Sequence, residues 1–317
     1  MIAKYISLTI LQGKKSLLLN LLIFLIVIKR NLLSKKIGEF KHYKNIEGLE
    51  EYNINENSFN IENKKNGISI FARIKDADEF IKEVIESYIG YIDEIVIVDN
   101  NSKDNTKKIC LELKEKYPNI IKFYNYDFEI YGIGHEKWAE TPENSIHSFI
   151  YYSNWCMSKT NYKYVVKLDD DVLVMDDNLI KEITTNIKIK GLNCLQIIPQ
   201  ININFIDGKI KTPIMGTSKI FPIIAGVYCD HGIFPISNKT YFIKDKTMES
   251  FIFPFWFKIS KLGLFHLKGL KKSIGMHNQH GKMAELIKNT VKNSIYIDLP
   301  KKYLDILKNK INIKDYL

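Results

Sequence analysis

The sequence predicts an α/β domain built on a largely parallel sheet, and three observations predict it. Strand-like and helix-like segments alternate from Ile68 to Ile189, the pattern of a sheet with crossover helices. Glu94–Val98 is a short apolar run of the kind buried on both faces of such a sheet. A later strand, Tyr164–Leu168, runs straight into Asp169, Asp170 and Asp171, and open α/β folds bind ligands at the carboxyl ends of their strands.

The elements follow in order. Lys14 and Lys15 precede an apolar run, Leu17–Ile28, which Lys29 and Arg30 close. The run is shorter than the roughly 20 apolar residues of a membrane span, and no small-residue cleavage site follows it. Residues 1–43 are therefore expected to form a basic, apolar helical extension. It either lies on an anionic membrane surface or packs on the main domain. Residues 44–66 are polar and without sustained periodicity, which reads as a linker.

The main domain is expected over residues 67–282, in two parts, 67–175 and 176–282. Ile68–Arg73 reads as its first strand, and Phe80, Ile81, Val84, Ile85 and Tyr88 have helical spacing. After the Glu94–Val98 strand, a helix is expected from Asp104 to Tyr117, stopped by Pro118. Ile120–Tyr124 reads as a strand, Glu143–Ser158 as a helix, and Tyr164–Leu168 as the strand that meets the aspartates. A helix near Asn178–Ile189 and a strand at Cys194–Ile198 follow, and Asp207-Gly208 suits a hairpin turn. The tail, 283–317, has helical spacing and no recognisable chemistry.

A chain of 317 residues with 45% hydrophobic and 26% charged content buries a substantial core and is not disordered. Its net charge of +10 suits phosphorylated substrates or an anionic surface. Nucleic acid has only this charge in its favour, because no binding module is present. Cys110, Cys156, Cys194 and Cys229 are far apart, form no paired motif, and read as core thiols of a reducing compartment.

Two acidic turns carry the chemistry. In Leu168-Asp169-Asp170-Asp171, carboxylates two residues apart at a strand end can hold a hard divalent cation, Mn2+ or Mg2+, against substrate phosphates. The other turn, Val98-Asp99-Asn100-Asn101-Ser102-Lys103-Asp104-Asn105-Thr106, follows the earlier buried strand.

Together with Arg73-Ile74-Lys75-Asp76 after the first strand, these turns resemble in order and spacing those of glycosyltransferase family two, over about residues 67 to 175. The resemblance implies an A-type fold: a Rossmann-like, mostly parallel central sheet flanked by helices, here with an N-terminal helical extension. It implies that Asp99 contacts the nucleoside and that Asn101, Asp169 and Asp170 join the nucleotide contacts. Asp169 and Asp171 would hold the metal, and Arg73 and Lys75 would lie near the diphosphate. Many members carry a second Asp where Asn100 stands. His266 would complete the metal shell, with His277 and His280 as rivals.

The expected activity is metal-assisted, inverting transfer of a sugar from a nucleotide-diphosphate donor, a UDP-sugar by resemblance, onto a polysaccharide or glycolipid. The expected place is the cytoplasmic face of a bacterial membrane, in the making of a capsule, lipo-oligosaccharide or similar surface glycan. Inversion needs a general base but no protein nucleophile. Glu249, ahead of an aromatic run, is the candidate base, and Asp230, before Gly232, a candidate sugar contact. Two rivals remain: a haloacid-dehalogenase-type phosphatase with Asp169 as nucleophile, and a non-catalytic membrane scaffold.

Overall fold

The computed structural model describes residues 17–215, 227–228, 232–245, 248–271 and 294–313. It opens with helix α1, Leu17–Ile37, and three short 3-10 turns lead to the domain proper. There β1 (Lys65–Ile74), α2 (Ile81–Tyr88), β2 (Glu94–Asp99), α3 (Thr106–Lys116) and β3 (Ile121–Asn125) alternate. Then come α4 (Phe149–Ser158), β4 (Tyr162–Leu168), β5 (Val172–Val174), α5 (Asp177–Lys190) and β6 (Cys194–Ile197). The remainder is β7 (Gln200–Ile206), β8 (Lys209–Met215), β9 (Val227–Tyr228), β10 (Gly232–Pro235), β11 (Tyr241–Asp245), β12 (Met248–Ile252), β13 (Trp256–Ile259), β14 (Leu264–Gly269), β15 (Ile295–Asp298) and α6 (Lys301–Lys310).

The main sheet has seven strands in the order β13-β6-β10-β4-β1-β2-β3. Only β10 is antiparallel to its neighbours, so the carboxyl ends of β1, β2 and β4 share one edge. The expected mostly parallel α/β architecture is thus present. A second sheet, β15-β8-β7-β14-β5, brings β14 beside the short strand that follows the aspartates.

Strand alternation divides the core in two. Ile68, Ile70, Ala72 and Ile74 join one cluster, together with Ile95 and Ile97 of β2. Phe71, Val96 and Val98 face the other, filled by α4. Successive side chains on a strand point to opposite faces. Arg73, two residues after Phe71, is therefore delivered to the α4 side, and it is buried.

Segment 44–66, expected as a linker, packs on the domain. Its 3-10 turns strap it to the α4 side, with Ile54 and Phe59 in the core beside Phe40. The Phe40 and Phe59 rings meet edge to face at 5.0 Å. The Asn45 side chain clasps the first turn through Leu49 and Asn53. Polar composition masked these few apolar anchors. Helix α4 also begins later than its spacing suggested, because Ser148 caps Ile150 and Tyr151 and Glu143 accepts from the Lys244 amide instead. The Asp207-Gly208 turn is left-handed at both positions, φ 53° and 71°, as a two-residue hairpin requires. The tail holds a strand, β15, as well as α6, whose Tyr303 and Leu307 enter the main core.

Candidate active site

The carboxyl edge of β1, β2 and β4 gathers both acidic turns. By register Asp99 is level with Ile74, and Ala72 with Leu168. The ends of β2 and β4 therefore flank β1, about 10 Å apart at ordinary strand spacing.

The β2 turn is tightly built. Asp99 is buried, and its carboxylate accepts from the Ser102 hydroxyl and amide. Burial pushes the Asp99 carboxyl above its ordinary value, against the two bonds from Ser102. Asn101 sits in the left-handed region, φ 54°, which Asn tolerates better than most residues. Asp76, also left-handed, accepts from the Lys103 amide at 2.6 Å, and Asp104 accepts from Asp78 and Thr106 amides. Asn100 is buried, and its amide group donates to Tyr126 and Phe128 carbonyls at 2.8 and 2.7 Å. An aspartate here would place its charge against those carbonyls, so the local hydrogen bonding suits Asn at this position.

At the end of β4 each of three successive aspartates meets its own basic side chain. Asp169 is 3.3 Å from Lys167, Asp170 is 2.6 Å from Lys271, and Asp171 Oδ1 is 3.4 Å from His266 Nε2. Burial and the neighbouring Asp171 raise the Asp170 carboxyl to about 7, against the pull of Lys271. Burial also acts on Asp171, but His266 and Lys271 outweigh it and hold that carboxyl below its ordinary value. His266 is placed by β14 pairing with both β5 and β7, and its Nδ1 meets Asn202 Oδ1 at 2.8 Å.

This corner suits a divalent cation. Asp171 Oδ1 is buried without a hydrogen bond. In the tautomer that donates Nδ1–H to Asn202, Nε2 would offer its lone pair to a cation shared with that oxygen. Two ligands at about 2.1 Å from a shared ion stand about 3.0–3.4 Å apart, the spacing found here. Among the described residues no group of three His, Cys, Asp or Glu side chains closes round one point. Of the expected metal set, Asp171 and His266 come together and Asp169 turns to Lys167.

Other expectations change. Arg73, expected near the diphosphate, is buried: its guanidinium lies 4.6 Å from the Phe149 ring centroid and forms a two-pronged ion pair with Glu249, 2.6 and 3.2 Å. Ser153 joins the same pair. Glu249, the expected base, is thereby paired with a buried cation. Lys75 is half-buried at the start of the loop after β1. Asp230, His277 and His280 lie outside the described residues. Lys271, Asn202 and Ser153 were missed because each reaches its partner across more than 60 residues. No local pattern announces such a contact.

Residues 68–126 match the family Glycosyl transferase family 2. Among curated proteins no relative matches. Among solved structures the chain is similar to S. aureus TarS, at 16% identity over 63% of this chain and 36% of that one, TM-score 0.38. It is similar also to S. aureus TarS 1-349 in complex with UDP, at 14% identity over 79% and 72%, TM-score 0.40. A third is glucosyl-3-phosphoglycerate synthase from Mycobacterium tuberculosis in complex with Mn2+, uridine-diphosphate and phosphoglyceric acid, at 16% identity over 43% of each chain, TM-score 0.28. The chain spans 36% of the length of the first of these. The family match covers the stretch that holds β2, β3, the Asp99 turn and most of β1, and it leaves the Asp169–Asp171 turn outside it.

Proposed function

We propose that the protein transfers a sugar from a nucleotide-diphosphate donor, a UDP-sugar, onto a polysaccharide or glycolipid acceptor at the cytoplasmic face of a membrane, with inversion. One observation carries the reading: the buried Asp99 turn and the Asp171–His266 corner open on the same sheet edge, two strands apart. That separation suits a nucleoside at one end and its diphosphate at the other.

In this reading Asp99 receives the nucleoside while Asn101 shapes the turn around it. Asp171 and His266 hold Mn2+ or Mg2+, with Asp169 and the diphosphate oxygens available to complete the shell. The cation, when bound, neutralises charge on the departing diphosphate. Lys75 and Lys271 add positive charge at the same edge. The acceptor hydroxyl attacks the anomeric carbon in one displacement, so its proton goes to an acidic side chain near the sugar. With Glu249 held by Arg73, Asp230 is the remaining candidate for that role.

The test is donor hydrolysis. Purified full-length protein with Mn2+ should slowly release nucleotide diphosphate from one member of a panel of nucleotide sugars. The release should stop with chelator and fall to near background in Asp169→Asn or Asp171→Asn. Cleavage of a generic phosphomonoester without any nucleotide diphosphate release would overturn the reading in favour of a phosphatase.

A further inference from the structure

Helix α1 contains Lys29, Arg30, Lys35 and Lys36 and no acidic residue. Positions 25, 29, 32 and 36 recur at helical spacing and share one face. All four are exposed: Leu25 is 56% and Leu32 62% accessible, and Lys29 and Lys36 are open beside them. Phe24 meets the Trp256 ring edge to face at 5.4 Å. Trp256, the first residue of edge strand β13, is itself 52% accessible. Leucines interleaved with lysines, next to an open tryptophan, form a surface that is apolar and cationic at once.

We propose that this face, Leu25, Lys29, Leu32 and Lys36 together with Trp256, docks on an anionic lipid bilayer. The apolar run Leu17–Ile28 covers about 18 Å as a helix, short of the roughly 30 Å hydrocarbon core, so the helix lies in the interface instead of crossing it. No described helix is long and apolar enough to cross a membrane. Leu25, Leu32 and the indole enter the headgroup boundary, and the lysine stems run alongside them to place their ammonium groups among lipid phosphates.

A second copy of the chain fits less well, because a two-fold interface sets this patch against itself and two lysines would face two. Trp256 is level with Cys194 at the amino end of β6, whereas Asp169 leaves β4 at the carboxyl edge. Docking therefore leaves the nucleotide edge open to the aqueous phase, where a soluble donor arrives. Only this last consequence rests on the transferase reading.

The full-length protein is tested by flotation with phosphatidylcholine vesicles, with and without phosphatidylglycerol. It should float with the anionic vesicles and not with the neutral ones, and binding should weaken as salt rises. The double variant Leu25→Gln/Leu32→Gln should bind about tenfold more weakly or worse. Trp138 and Trp155 are only 6% and 4% accessible, so Trp256 is the tryptophan that a bilayer can reach. Lipids brominated on their acyl chains should quench its emission, and Trp256→Phe should remove that quenching. Equal flotation of the leucine variant, unquenched emission, or concentration-dependent dimers without vesicle binding would each overturn the proposal. Binding of nucleotide diphosphate, measured in the same variants, should be unchanged. Its loss in the wild-type chain counts against the transferase reading alone.

Discussion

His266 Nε2 stands 3.4 Å from Asp171 Oδ1 while its Nδ1 meets Asn202 Oδ1 at 2.8 Å. The three side chains come from β14, the turn after β4, and β7, and a carboxylate oxygen and an imidazole nitrogen face each other. Asp171→Asn and His266→Ala should each remove Mn2+-dependent tightening of nucleotide diphosphate binding. Asn202→Leu, which frees the imidazole to rotate, should weaken Mn2+ affinity about 10–100-fold without touching the ion. Isothermal titration with and without Mn2+ checks both; wild-type metal affinity in Asp171→Asn would remove this corner from the metal site.

Arg73 and Glu249 form a buried pair, with side chains 5% and 11% accessible. Removing one partner leaves the other charge buried and uncompensated. Glu249→Gln and Arg73→Met should therefore each lower unfolding stability by about 3–5 kcal/mol. The double change Arg73→Met/Glu249→Leu should recover most of that loss. Urea denaturation measures it. If Glu249→Gln abolishes turnover with an unchanged denaturation midpoint, Glu249 is a base after all.

Asn100→Asp sets a carboxylate against the Tyr126 and Phe128 carbonyls. The expected cost is about 2 kcal/mol or more, with the loop after β3 released from the Asn100 side chain. Amide hydrogen exchange across residues 126–128 should report that loosening.

Glu94 lies buried at the other end of β2. Burial opposes its charge, yet hydrogen bonds from Lys122, Ser69 and the Asn161 amide outweigh burial and hold its carboxyl below the ordinary range. A group depressed in the folded state adds stability above its unfolded value and loses it as pH falls through the folded one. Glu94→Gln should thus cost about 1–3 kcal/mol at neutral pH. The gap from wild type should close on acidification below about pH 4. A gap independent of pH would mean that shape, not charge, matters at this position.

The alternation of β1, α2, β2, α3 and β3, the buried runs, and the two acidic turns were legible because each is set by neighbours within a few residues. Strand period, helix spacing and the residue types that end a strand are local properties. Even Asp207-Gly208 announced its turn in this way. The tertiary structure alone decided which way Arg73 points and that Glu249 is its partner, 176 residues away. It also decided that His266 meets Asp171 through a second sheet, and that the strap at 44–66 is anchored by Ile54 and Phe59. Such contacts depend on where distant strands are laid side by side. A charged residue read by itself carries no sign of whether the partner that arrives will be solvent, substrate or an opposite charge.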